Sequence, residues 1–213
     1  KILKSGKTPF LVGGTGLYVS VVTQNWLIPK IRPNQKLRGR LERELKRRGL
    51  AALYQKLLKL DPEAAYVVDA HNPRRVVRAL EVSILSGKPF TKQRQKSKPF
   101  FDCLLLGLNL PKDLLRKRIE ARSTKMLKSG LVAEVKRLLS KYGDRPTAFD
   151  AIGYREIIPY LRKRTSLQEA IKLINRNTRR FAKRQMTWFR KMPVVWIRSR
   201  KEAEAKIAKF LGR

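Results

Sequence analysis

Leucines recur at helical spacing through residues 35–59, with Gly49 between two groups of them, which predicts two consecutive helices. The pairs Asp61-Pro62 and Asn72-Pro73 each join a capping residue to a proline, a combination typical of a helix start. We therefore predict an all-helical unit over residues 32–98.

Short apolar runs flank this unit. Residues 9–12, 101–108 and 194–197 have the length and composition of buried strands. Between the second and third runs the apolar positions return to helical spacing, and Ser166 opens a capping box at the start of a helix that extends to residue 191. Strands alternating with helices around a helical insertion indicate an α/β fold.

The turn Gly13-Gly14-Thr15-Gly16 follows the first predicted strand and precedes a predicted helix that ends near residue 24. Glycines allow backbone N–H groups to approach a ligand, and a helix N-terminus favours negative charge, so the turn is a candidate anion site. The alternative is a tight turn without a ligand, since a single glycine motif is weak evidence. Gly6-Lys7-Thr8 is not the end of a phosphate-binding loop, because Lys1 stands where that loop needs glycine.

The charge of the chain points to a polyanionic partner. Lysine and arginine number 51 against 16 aspartates and glutamates, a formal net charge of +35. Nucleic acid is the first candidate partner and an anionic membrane surface the second. No apolar run approaches the roughly 18 residues of a membrane span. With Cys103 as the only cysteine and His71 as the only histidine, a zinc site built from these ligands is excluded.

Basic residues cluster on two shorter predicted helices. Arg74, Arg75 and Arg78 share one side of the helix that follows Asn72-Pro73, where the alternative is a solvated charged face. Arg122 precedes an apolar pair by one turn, so it is expected at the edge of the core, where an arginine needs an anion. The alternative for Arg122 is an ion pair with Glu120 or Glu134.

The long helix after Ser166 carries an inward stripe in which Thr178 and Gln185 are polar among apolar residues. These two side chains either are satisfied within the core or contact a substrate. The outer faces of the helix carry a density of bases that favours a polyanion beside it. Those bases are Lys172, Arg176, Arg179, Arg180, Lys183 and Arg184.

Taken together, the motifs resemble the tRNA dimethylallyltransferases, the tRNA isopentenyltransferase family of bacteria. The matching stretches occur in the order of the family and span nearly the whole chain. They are VGGTGLY at 12–18, NPRRVVRALEV at 72–82, Arg122 with Met126-Leu127 and Gly130-Leu131, AIGYRE at 151–156, and NTRRFAKRQMTWF at 177–189.

The resemblance implies transfer of a dimethylallyl group from dimethylallyl diphosphate to the N6 amine of the adenosine 3′-adjacent to the tRNA anticodon, with Mg²⁺ assisting the departing diphosphate. It also implies a P-loop nucleotide-kinase-like α/β core over residues 1–31 and 99–213. The helical insertion, residues 32–98, would grip the anticodon arm. The implied protein is cytoplasmic and monomeric, with no membrane association.

The resemblance assigns Thr15 and Arg122 as catalytic residues at the donor, with Gly13 and Gly14 completing the diphosphate site, and it assigns no metal ligand. Asn72 stands where an aspartate is common in the family. The residues assigned to tRNA contact are Arg38, Arg74, Arg75, Arg78, Ala151, Gly153, Tyr154, Arg155, Arg176, Thr178, Arg179, Arg180, Lys183, Arg184 and Gln185.

The family begins with a phosphate-binding loop and an aspartate that acts as general base, and residues 1–213 contain neither. The resemblance therefore implies the C-terminal two thirds of such an enzyme, with an incomplete core and no activity by itself. Two other functions compete. The ordered motifs argue against a basic RNA-binding module without catalysis, and the helical insertion and basic long helix argue against a transferase acting on free adenine nucleotides.

Overall fold

The structure is a computed structural model that describes residues 1–93, 97–143 and 147–212. Short 3-10 turns cover Leu3–Ser5, Thr91–Gln93 and Thr147–Asp150. No helix in the described ranges is both long and apolar enough to cross a membrane. The helices and strands are α1 (Gly16–Thr23), α2 (Gln35–Leu60), α3 (Ala64–Val67), α4 (Pro73–Ser86), β1 (Leu106–Leu108), α5 (Lys112–Lys128), α6 (Leu131–Tyr142), α7 (Tyr154–Leu161), α8 (Leu167–Phe189), β2 (Val195–Ile197) and α9 (Arg200–Phe210).

The chain divides into two compact units, Lys1–Cys103 and Leu104–Arg213. In the first unit α2 packs against α4, and the leucines that predicted these helices form the core. Leu41 and Leu57 of α2 and Leu80 of α4 are fully buried. The predicted helices are thus present, while the boundaries 32–98 of an inserted domain stay a prediction. Residues 94–96 of that range lie outside the described residues.

Two local end signals of this unit were predicted correctly, at Gly49 and at Asn72-Pro73. Gly49 has φ 80° and ψ 169°, a non-helical conformation that divides α2 into two helices as predicted. The Asn72 side chain accepts a hydrogen bond from the Arg75 backbone N–H at 3.2 Å, and Pro73 occupies the first helical position of α4. Both predictions are confirmed.

Asp61 was wrongly predicted as the cap of a helix that begins at Pro62. The helix α3 begins at Ala64, and the buried Asp61 carboxylate does not cap it. It accepts hydrogen bonds from the backbone N–H of Thr91 at 2.9 Å and from the Thr91 hydroxyl at 2.7 Å. A buried carboxylate needs such donors, and here they come from a distant part of the chain.

Residues 9–12 do not form the buried strand that their composition predicted. Phe10 is 70% exposed and Val12 is 92% exposed. A strand needs a neighbour for its backbone groups, and neither β1 nor β2 pairs with this segment. The start of α1 at Gly16 agrees with the predicted helix after the glycine turn.

The second unit contains a parallel pair of strands, β1 with β2, in the register Leu106 with Val195 and Leu108 with Ile197. Of the strand predicted over residues 101–108, only the last three residues form it. Parallel neighbours need a long crossover, and α5 to α8 supply it in sequence. The alternation of strands and helices that predicted an α/β unit is therefore present here.

The capping box at Ser166 is confirmed. The Ser166 hydroxyl accepts from the Glu169 backbone N–H at 3.2 Å, and the Glu169 carboxylate accepts from the Ser166 N–H at 2.8 Å. The helix α8 then packs against α5 and α7. Its inward stripe is buried at Ile174, whereas Phe181 further along is 42% exposed. The stripe is thus accessible to a ligand at Phe181.

Gly107 of β1 lies against the side chains of the second strand. A methyl group on Gly107 would lie 2.6 Å from Val194 Cγ1 and 2.7 Å from two ring carbons of Trp196. Because the neighbours would have to shift, Gly107→Ala is expected to lower the free energy of unfolding by about 1–3 kcal/mol, measured by urea denaturation. Gly13→Ala is the control, since no atom lies within 4 Å of a methyl group there. Equal losses in the two variants would contradict this packing.

Candidate functional site

Residues from three separate sequence motifs line one cavity of the second unit. The cavity has a volume of about 430 Å³ and lies between α5, the start of α7 and α8. Its apolar wall includes Ile119, Met126 and Ile174. The predicted site residues that it brings together are Arg122, Ala151, Arg155, Thr178 and Arg184.

The cavity is rich in positive charge. Arg122, Arg155 and Arg184 line it, and Asp150 is the single carboxylate among its described lining residues. Guanidinium groups donate forked hydrogen bonds that match phosphate and carboxylate oxygens. The lining therefore favours an anionic ligand.

Arg122 is exposed at this cavity, and no residue in the described part of the chain forms an ion pair with it. The two carboxylates that offered the alternative are engaged elsewhere. Glu120 lies 3.9 Å from Arg116, and Glu134 accepts a hydrogen bond from the hydroxyl of Tyr154. That hydrogen bond, together with burial, raises the pKa of Tyr154. Arg122 thus remains available to a ligand.

Glu156 holds the start of α7 to α8 beside the cavity. Its buried carboxylate accepts from the Gly153 backbone N–H at 2.7 Å through Oε2. Its Oε1 accepts from Arg155 Nε at 2.6 Å and from Asn177 Nδ2 at 2.8 Å. Gly153 has φ 106°, a conformation that favours glycine. Sequence reasoning gave Glu156 no role, although its position three residues after a helix cap was a usable signal.

Of the bases predicted on the outer faces of α8, Arg184 instead lines the cavity, together with Thr178 of the inward stripe. The Thr178 hydroxyl donates to the Ile174 carbonyl at 2.8 Å, so this polar residue is satisfied within its own helix while lining the cavity. The Arg184 guanidinium lies 5.7 Å from the centre of the Phe181 ring. Gln185 is half-buried and is not among the lining residues. The exposed bases of α8 outside the cavity are Lys172, Arg176, Arg179, Arg180 and Lys183.

The glycine turn, whose residues were predicted to bind the diphosphate of the prenyl donor, lies in the first unit. Thr15 immediately precedes α1, is exposed, and its side chain makes no capping hydrogen bond. Gly13 and Gly14 do not have positive φ, so the turn does not use the left-handed conformation that glycine permits. The prediction of an anion site at Gly13, Gly14 and Thr15 therefore stays a prediction, without the tight turn that motivated it.

Two of the arginines predicted to contact tRNA meet a buried carboxylate. Glu81 accepts from Arg38 Nη2 at 2.7 Å and Arg78 Nη1 at 2.7 Å, and from the Asn34 backbone N–H at 2.8 Å. Burial opposes the charge, but the hydrogen bonds from Arg78, Arg38 and Asn34 outweigh it, so the pKa of Glu81 is lowered. Arg78 also donates to the Ile31 carbonyl at 2.8 Å. These arginines stabilise the first unit, a role that the sequence did not reveal.

A protein-family model described as IPP transferase matches residues 1–192. The chain belongs to the IPP transferase family. The resemblance inferred from the ordered motifs is thereby confirmed.

Known members of the IPP transferase family are similar over most of this chain. The tRNA dimethylallyltransferase of Carboxydothermus hydrogenoformans is 44% identical over 211 residues, which are 97% of this chain and 68% of the relative. That of Roseiflexus sp. is 42% identical over 196 residues, which are 91% of this chain and 64% of the relative. The crystal structure of the full-length tRNA isopentenylpyrophosphate transferase from Bacillus halodurans has a TM-score of 0.61 and 37% identity, covering 99% of this chain and 68% of that one. The chain thus spans about two thirds of the length of these relatives.

In this chain, Arg74 and Arg75 lie exposed on α4, and Tyr154 and Gly153 lie at the start of α7. Their contact with tRNA stays a prediction. No three histidine, cysteine, aspartate or glutamate side chains lie close enough to hold a metal ion in the described part of the chain. The described residues therefore do not supply a Mg²⁺ site of protein carboxylates alone.

Proposed function

We propose that this chain serves the transfer of a dimethylallyl group from dimethylallyl diphosphate to the N6 amine of the adenosine 3′-adjacent to the anticodon in tRNA. The observation that carries the proposal is the convergence of Arg122, Arg155 and Arg184 on one cavity in a chain of this family. The names of its relatives, tRNA dimethylallyltransferases, give the reaction class.

The reaction breaks the bond between C1 of the dimethylallyl group and the diphosphate oxygen, and it forms a bond between C1 and N6. The N6 amine passes a proton to a general base, the role that the resemblance gives to an aspartate, and diphosphate leaves with the bonding electron pair. Negative charge therefore grows on the diphosphate, and preorganised donors such as the Arg122 guanidinium stabilise it. The adenine must leave its stack to reach a cavity of this kind.

The proposal extends to the organisation of the protein. A P-loop nucleotide-kinase-like core, a helical insertion at residues 32–98 that grips the anticodon arm, and a cytoplasmic monomer all belong to it. Mg²⁺ belongs to it as well, but nothing proposed for the arginines depends on a metal. The expected inactivity of residues 1–213 by themselves is likewise a prediction, and an assay of this chain alone checks it.

A chimera tests the function without depending on this chain alone. In the tRNA isopentenylpyrophosphate transferase of Bacillus halodurans, the segment that aligns with this chain is replaced by it. Incorporation of a labelled dimethylallyl group into tRNA is then measured, with the unaltered relative as the positive control. We expect transfer at the adenosine next to the anticodon. A folded chimera that binds tRNA and transfers nothing would contradict the proposal.

The exposed bases of α8 predict a salt-dependent interaction with RNA. Replacing Arg179, Arg180 and Lys183 by alanine should reduce the slope of log K against log salt for an anticodon stem-loop by up to about 3, roughly one for each phosphate that is no longer neutralised. Fluorescence anisotropy at several salt concentrations measures this slope. The same number of alanine substitutions at exposed lysines of α9, residues 201, 206 and 209, is the control. Equal slopes in the two triple variants would show that α8 does not face RNA.

A further inference from the structure

The two oxygens of the Glu156 carboxylate have different partners. Its Oε2 accepts from the Gly153 backbone N–H, which is what a residue in this position of a helix start does. Its Oε1 accepts instead from two side chains, Arg155 and Asn177. Capping the helix uses only Oε2, so the two side-chain hydrogen bonds to Oε1 have a separate role.

The hydrogen bond to Oε1 determines which atoms of the Arg155 guanidinium remain free for a ligand. The Glu156 side chain is 3% exposed, whereas that of Arg155 is 44% exposed and lines the cavity. The anchor uses Nε of the guanidinium, and no hydrogen bond joins its Nη groups to another described residue. The Nη groups are therefore the donors that the anchored guanidinium presents to a ligand.

Charge gives a reason for the anchor. Arg122 and Arg184 line the same cavity, and like charges repel an unrestrained guanidinium toward solvent. A buried carboxylate next to Arg155 in sequence opposes this repulsion before any ligand binds. The site is in this way preorganised for an anion rather than assembled by it.

We propose that Glu156 is a positioning residue that holds the Arg155 guanidinium at the cavity, so that its Nη groups bind a phosphate group. The phosphate comes either from the diphosphate of the donor or from the tRNA backbone, and it is here that the inference rests on the proposed function. Asn177, which shares the same carboxylate oxygen, ties the arrangement to α8.

The test measures binding by residues 1–213 of inorganic pyrophosphate, by calorimetry, and of an anticodon stem-loop RNA, by fluorescence anisotropy. Glu156→Gln keeps the size of the side chain but puts an amide donor where one acceptor was. It is expected to weaken binding of at least one probe about tenfold, the scale of one charge-assisted hydrogen bond. Arg155→Ala should weaken the same probe equally. The double variant should be no weaker than either single variant, because Glu156 acts through Arg155.

Two further variants separate positioning from stability. Asn177→Ala removes the other hydrogen bond to Oε1 while leaving Arg155 anchored, so binding should change by less than about twofold. Arg155→Lys keeps a partner for Glu156 without the forked donors, and should bind as weakly as Arg155→Ala even if Glu156→Gln does not fold. Urea denaturation of each variant monitors folding.

The outcomes are distinct. Weaker pyrophosphate binding identifies the donor as the source of the phosphate, and weaker RNA binding alone identifies the tRNA backbone; both support the proposal. Four results would overturn it. They are unchanged binding in Glu156→Gln, additive losses in the double variant, full binding in Arg155→Lys, and no binding of either probe by the unsubstituted chain. A chimera that transfers nothing would contradict the proposed function and leave the role of Glu156 standing.

Discussion

Arg122→Ala in the chimera is expected to lower kcat/KM for dimethylallyl diphosphate by about 10²–10³, the scale of losing one group that stabilises developing charge. Arg122 lies at the cavity without an ion-pair partner among the described residues, so its charge is available to the leaving diphosphate. The affinity for tRNA should change little, because many bases share the binding of the tRNA backbone. Steady-state kinetics with the donor varied, and tRNA binding measured separately, check both parts.

Arg118→Ala is the matched control for this variant. Arg118 lies one turn earlier on α5, is exposed, and is not among the residues that line the cavity. It carries the same charge on the same helix, so a general electrostatic effect would appear equally in both variants. A loss of tRNA affinity with unchanged donor kinetics in Arg122→Ala would refute its assignment to the donor.

Local signals in the sequence predicted the helices well because a cap or a break depends on a few neighbouring residues. Asn72, Ser166 and Gly49 act within three or four positions, and the structure confirms each of them. The strand predicted at residues 9–12 failed because a strand depends on a partner elsewhere in the chain, which its own composition does not reveal. The prediction that Asp61 caps a helix failed for the same reason, since the hydrogen-bond donors to its carboxylate belong to Thr91, a residue distant in the chain.

The arginines of the candidate site were predictable, but the carboxylate that anchors Arg155 was not, and neither was the Glu81 carboxylate that holds two arginines of the first unit. Arg122 stood out by its place one turn before an apolar pair, Arg155 by its motif with Gly153 and Tyr154, and Arg184 by the density of bases on the long helix; the fold gathers all three at one cavity. Glu156 and Glu81 have an ordinary appearance in the sequence, since acidic residues on helices are most often exposed. Their burial follows from the packing of whole helices, which no short pattern contains.

Removal of the Glu81 carboxylate is expected to destabilise the first unit strongly. Glu81→Gln leaves Arg38 and Arg78, whose side chains are 39% and 34% exposed, without their charged acceptor, and losing hydrogen bonds to a buried charge is expected to cost about 1.5–3 kcal/mol of unfolding free energy. Glu44→Gln is the control, because Glu44 has a single ion-pair partner, Lys56, and its side chain is 17% exposed whereas that of Glu81 is fully buried; partly exposed pairs contribute about 0–1 kcal/mol. Urea denaturation of both variants gives the comparison. Equal small losses would show that the buried pair contributes no more than a surface pair.

The same carboxylate predicts how that difference depends on pH. Burial opposes ionisation of Glu81, yet the hydrogen bonds from Arg78, Arg38 and Asn34 hold its pKa below the ordinary value of 4.5. A carboxyl group whose pKa is lower in the folded state stabilises the fold above its ordinary pKa, and this stabilisation is lost as the pH falls through the folded value. The difference in unfolding free energy between the wild type and Glu81→Gln should therefore be constant above about pH 5 and should shrink as the pH falls below 4.5. Urea denaturation at a series of pH values measures it, and a difference that stays the same through the acid range would show that the charge on Glu81 is not what stabilises this unit.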